Sequence, residues 1–135
     1  MKTVRKLSFP LAYKTIVLTL ILTMIFHICI LIGVIPYDIV WGGRLDTQAK
    51  MILFEIISLV INSIILLFVF MKKEVVKPFL SIKIINVFIW LFAVIFLLNT
   101  IGNLFASNSL ETIIFTPLTL ILTICMVRMA IERKT

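Results

Sequence analysis

Glu55 and His27 are the two side chains in this sequence best suited to move a proton, and each lies within a long apolar run. An acid at the middle of a membrane span costs about 3 kcal/mol on insertion scales, so Glu55 must pair, hydrogen-bond or protonate. Arg44 is the cation expected to reach it, with Lys50 second. Such a pair would fasten the preceding loop to the span. Otherwise Glu55 is a carboxylate that carries a proton or binds a cation. His27 is the only histidine. It suits a proton relay, a neutral hydrogen-bond partner for Glu55 or an Asn, or a satisfied interior group. Together the two would serve a small membrane enzyme as acid and base. One His cannot supply both axial ligands of a haem, and no HExxH or other zinc spacing occurs, so no metal or cofactor is expected.

Other candidates surround this pair. Trp41-Gly42-Gly43-Arg44 joins an interfacial aromatic to backbone freedom and a fork of donors. It reads either as an interfacial Trp before a tight turn or as a lid over a polar interior. Asp38 and Asp46 flank Arg44. Asn99 and Asn103, at i and i+4, suit interhelical hydrogen bonding. Asn108 with Glu111 resembles a capping box. Pro117 either kinks the last helix, freeing the carbonyl of Ile113, or opens a shorter one capped by Thr116. Either arrangement puts irregular backbone at membrane depth, where it must be buried in protein or line a cavity.

The elements that position these residues follow from composition. Of 135 residues, 62% are hydrophobic and only 14% charged, against about 25% charged in an ordinary soluble domain. Apolar runs over 15–35, 51–71, 84–102 and 111–130 have the length that crosses a hydrocarbon core, about 20 residues. The expected fold is therefore all-α, a single integral membrane four-helix bundle spanning residues 1–135. The basic N-terminus before the first run resembles a signal peptide. That run is too long for an h-region and has no small-residue cleavage site, so it is expected to stay as an anchor. Cys29 and Cys125 fall at depths differing by about 10 Å at 1.5 Å per residue, which excludes a disulfide between them.

Basic residues set the expected orientation. Lys2, Arg5, Lys6, Lys14, Lys72, Lys73, Lys77, Lys83, Arg128, Arg133 and Lys134 fall on one side of the runs, against Arg44 and Lys50 on the other. Lys and Arg favour the cytoplasmic face, so both termini are expected inside. Arg128 is expected to snorkel to that surface. The net charge of +7 is spread beside the spans, where it meets anionic lipid, and no nucleic-acid partner is expected. Membrane lipids are the expected partners, together with a second copy of the chain or another membrane protein.

Each run carries polar residues at helical spacing: Thr19, Thr23 and His27; Glu55, Ser58 and Asn62; Asn99 and Asn103; Thr112, Thr116, Thr119 and Thr123. Facing inward, these stripes form a polar seam. It is richest at the outer end, which argues against a continuous pore. An outward polar cup is expected, with His27, Asp38, Trp41, Arg44, Glu55, Asn99, Asn103 and Thr116 as its candidate residues. It would hold a lipid-like or small ligand, or a partner span. The alternatives are the Glu55–His27 enzyme and a subunit of an oligomeric proton-coupled transporter, since four spans alone offer little scope for alternating access.

With WGGRL, Glu55, NTIGNLFA and FTPLTLIL in view, the chain resembles a group of small bacterial four-span membrane proteins that share the Trp-Gly-Gly-Arg outer loop. The resemblance covers nearly the whole chain. It implies this architecture and a bacterial plasma membrane. At the level of architecture alone, the chain is also similar to four-span lipid- or sterol-binding modules.

Overall fold

A computed structural model describes residues 2–40, 45–106, 109 and 111–132. Five α-helices occur among them: α1 (Lys2–Lys6), α2 (Phe9–Leu31), α3 (Gln48–Lys73), α4 (Ile82–Leu104) and α5 (Thr116–Ala130). No strand occurs among the described residues. A π-helical turn, Glu111–Phe115, runs directly into α5. Four segments, Phe9–Leu31, Gln48–Lys73, Ile82–Leu104 and Thr112–Ala130, are long and apolar enough to cross a membrane. The protein is an all-α, multi-pass membrane four-helix bundle.

The helices overrun the expected spans because polar residues cap them. The Ser8 hydroxyl accepts from the Leu11 amide and Pro10 occupies the first turn, so α2 begins before its apolar run. Thr47 accepts from the Lys50 amide and Ser81 from the Ile84 amide in the same way. At the other end of α2, Gly33 takes a left-handed φ of 77°, a conformation cheap only without a Cβ. Pro117 neither kinks a continuous α-helix nor starts one capped by Thr116. It lies in the first turn of α5, with Phe115 in the cap position making no side-chain bond. Asn108, the capping member of the Asn108–Glu111 pair, lies outside the described residues.

Each long helix packs against two others, in the ring α2–α3–α4–α5 closing back on α2. Successive helices alternate in direction, so residues 32–40, 45–47 and 105–106 share one end, the loop end. Residues 2–8, 74–81 and 131–132 share the other. Between the middle and the terminal end lies the main apolar core, which includes Ile16, Leu20, Val69, Ile89, Leu122 and Met126. A smaller cluster of Ile30, Val40, Leu45 and Met51 closes the loop end. The outward faces are apolar and exposed, as at Leu18, Val60, Val87 and Leu98, which suits lipid rather than water.

The terminal end departs from expectation. Arg128 does not snorkel: its Nε donates to the Leu7 carbonyl at 2.6 Å and Nη1 reaches Glu132 Oε2 at 2.7 Å. Lys72, at the end of α3, is almost fully buried; its Nζ donates to Asn86 Oδ1 at 2.6 Å and to the Glu132 carbonyl at 3.0 Å. The Phe9 ring lies near both Lys73 Nζ and the Arg128 guanidinium. A buried cation is tolerable only with such donors satisfied. The Arg128 bond ties the segment before α2 to α5, and the Phe9 ring meets the ends of α3 and α5.

Candidate functional site

Between the two apolar clusters runs a polar layer. Glu55, Ser58 and Asn62 are buried on α3, Thr100 on α4, and Thr119 and Thr123 on α5. Most of these groups are satisfied within their own helices. Asn62 Nδ2 donates to the Ser58 carbonyl, Thr23 to the Thr19 carbonyl and Thr123 to the Thr119 carbonyl. The Thr100 and Thr119 hydroxyls, 2.9 Å apart, bond across α4 and α5. Each hydroxyl carries a single proton. One therefore donates across the interface while the other donates to a carbonyl of its own helix, Phe96 or Phe115.

His27 and Glu55 meet. His27 Nδ1 lies 2.5 Å from Glu55 Oε2, with the carboxylate fully buried and the ring 13% exposed. α2 and α3 are neighbours running in opposite directions. A residue one turn before the end of α2 therefore falls level with one two turns into α3. The contact explains how an acid is housed at this depth: it faces inward and shares a hydrogen-bonded proton with the ring. Because Nδ1 is committed to Glu55, the ring's other nitrogen, Nε2, is left for what lies in front of it.

A cavity of about 210 Å³ lies in front of it. His27 lines it from α2, Asn99 and Asn103 from α4, and Thr119 from α5, with Val40 above. Neither asparagine amide hydrogen-bonds to another described residue; the Asn103 backbone carbonyl accepts from Thr112. A second cavity of about 300 Å³ runs alongside, lined by Thr19 and Leu22 of α2, Ile114 of the π turn and Leu118 of α5. The two share Thr23, Phe26, Val40 and Phe115. The Phe26 and Phe115 rings stand edge to face, 5.4 Å between centroids, at the neck between them. The space exists because α5 starts later than its neighbours: an irregular π turn replaces the straight helix that would have filled it.

No family model, curated protein or solved structure matches this chain. The site must therefore be read from its own chemistry.

Of the expected cup residues, His27, Asn99 and Asn103 line the polar cavity, and Glu55 supports His27 from behind. Asp38 stands exposed in the 3-10 turn Tyr37–Ile39 and lines neither cavity. The Thr116 hydroxyl is buried, with no partner among the described residues, and also lines neither. Trp41 and Arg44 lie outside the described residues. Sequence reasoning missed Phe26, Val40, Phe115 and Thr100. The aromatics read as ordinary apolar positions, and Thr100 was overshadowed by the adjacent Asn99. Successive residues on a helix point about 100° apart. In α4 Thr100 takes the buried face, which leaves Asn99 on the cavity flank.

Proposed function

We propose that this multi-pass membrane protein is a binding or accessory protein of a bacterial plasma membrane, with both termini cytoplasmic and the cavity toward the outer face. The cavity holds a lipid-like or small ligand. A partner span, or a second copy of the chain, is the other occupant such a cup suits. The observation that carries the reading is the pair of Asn99 and Asn103 amides lining a cavity beside His27 with no protein partner among the described residues. Amides at membrane depth gain from a hydrogen-bonding partner, so a ligand that offers one binds favourably beside them.

Native mass spectrometry from mild detergent tests the proposal. The wild-type protein should carry a bound mass that is lost from Asn99→Leu and His27→Ala, while both variants still accumulate and melt cooperatively. A wild-type protein that carries nothing above its detergent background removes the binding reading. A doubled subunit mass would identify a second copy as the occupant.

A second reading, a small enzyme acting on a membrane-soluble substrate, is favoured by the His27–Glu55 contact. Glu55 holds Nδ1 and orients the ring, and Nε2 takes a proton from a group bound in the cavity. Incubating membrane lipid extracts with wild-type and His27→Gln protein separates the two readings. A product that forms only with the wild type supports catalysis, and identical extracts leave binding alone.

A further inference from the structure

The geometry points to a single-chain amphiphile with an uncharged, hydroxyl-type head as the ligand, reaching its site sideways from the bilayer between α2 and α5. The inference rests on the binding reading above and adds the ligand's class and its route.

The route follows from the lining that the two adjoining cavities share. The apolar cleft opens between Leu22, 57% exposed, and Ile114, 52% exposed, on the outer surface of the bundle. Apolar lips on a lipid-facing surface open into hydrocarbon. Inside, the Thr23 hydroxyl is turned back to the Thr19 carbonyl of its own helix, so it offers the cleft little hydrogen bonding. An alkyl or prenyl chain fits such a wall. The cleft then passes the Phe26–Phe115 neck into the chamber where the polar groups are.

The head follows from the chamber's chemistry. His27 Nε2 and the two asparagine amides together donate and accept hydrogen bonds, as a hydroxyl does. Among the described residues no Lys or Arg lines either cavity. The buried cations Lys72 and Arg128 are at the opposite end of the bundle, and Lys50 is exposed and paired with Asp46. Among the described residues, the charged group packed directly behind the ring is the Glu55 carboxylate, which disfavours an anionic head. Phosphate recognition draws on cationic forks or ammonium groups. Size sets the chain number: about 300 Å³ in the cleft lies at the lower end of ligand pockets, which span about 300–1,000 Å³.

The test uses the full chain in nanodiscs and a dodecanol carrying a mid-chain diazirine, with dodecanol and monododecyl phosphate as competitors. Saturable photolabelling is expected at Leu22, Ile114 or Leu118. Dodecanol should compete about tenfold better than the phosphate. Leu22→Trp places a bulky ring on one lip, at a lipid-facing position that tolerates it, and should cut labelling about tenfold without lowering Tm. Ile114→Trp blocks the opposite lip and serves as the second variant. Phosphate competing as well as dodecanol overturns the uncharged head while leaving the binding reading intact. Labelling undiminished in both lip variants overturns the lateral route. Absence of saturable labelling by the alcohol, with a bound native mass still present, overturns the ligand class. Absence of both removes the underlying binding reading as well.

Discussion

Lys72 Nζ lies 2.6 Å from Asn86 Oδ1, joining the last turn of α3 to the first turns of α4 inside the bundle. Lys72 is only 2% exposed, so this acceptor and the Glu132 carbonyl contribute to solvating the ammonium. Removing an acceptor from a buried charge costs more than removing the charge itself. Asn86→Leu should therefore destabilise the protein by about 1.5–3 kcal/mol, the worth of a charged hydrogen bond. Lys72→Met, which keeps the packing and deletes the charge, should cost less. Unfolding in mixed micelles measures both. Equal or reversed effects would mean that the ammonium is solvated by other groups.

The His27–Glu55 contact makes a different prediction, because the carboxylate and not the ring is the fully buried member. Glu55→Gln keeps an acceptor facing Nδ1 and should leave Tm nearly unchanged. Glu55→Leu leaves the imidazole nitrogen unpartnered and should cost about 1–3 kcal/mol. The double variant His27→Leu with Glu55→Leu should recover part of that loss. Failure of the pair to couple in this cycle would show that the contact contributes no stability.

Arg128 bonds the Leu7 carbonyl across 121 residues of sequence, and that bond holds α1 beside α5. Arg128→Met should release the segment before α2, raising amide exchange at Val4 to Leu7 without changing exchange in the middle of α5. Arg128→Lys cannot supply both the Nε donor and the Nη1 contact to Glu132, so it should release the segment partly. Unchanged protection in Arg128→Met would place the anchor in the Phe9 contacts instead.

At the loop end, the hydrogen bond from Lys50 holds the Asp46 carboxyl below its usual range, helped by Asp46's own backbone and by the nearby ammonium charge. A depressed carboxylate stabilises the fold at neutral pH and loses that contribution as pH falls through its folded value. The pair is exposed, so the effect is small. Lys50→Ala should return the Asp46 titration, followed by carboxyl NMR, to the ordinary aspartate range. A titration that does not move would assign the shift to the backbone.

The number of spans, their α-helical character and the polar stripe on each helix were legible in the sequence. Each is a local property. A run's length against the hydrocarbon thickness sets a span, and the 3.6-residue period sets which side chains share a face. Ser8, Thr47 and Ser81 show the same locality in the caps that lengthened the helices beyond their apolar runs. Pairing across helices was not local. That Glu55 meets His27 depended on the axial offset and rotation of α2 against α3, and His27 stands 28 residues away in sequence. The same rotations buried Lys72 and Arg128, which charge counting alone assigned to the surface. They also turned Thr100 inward and left Asn99 on a cavity wall. The cavity depends on the π turn before α5, which leaves open the gap at the Phe26–Phe115 neck. Sequence determined what each helix carries; only the packed bundle decided which groups face one another and where space remains between them.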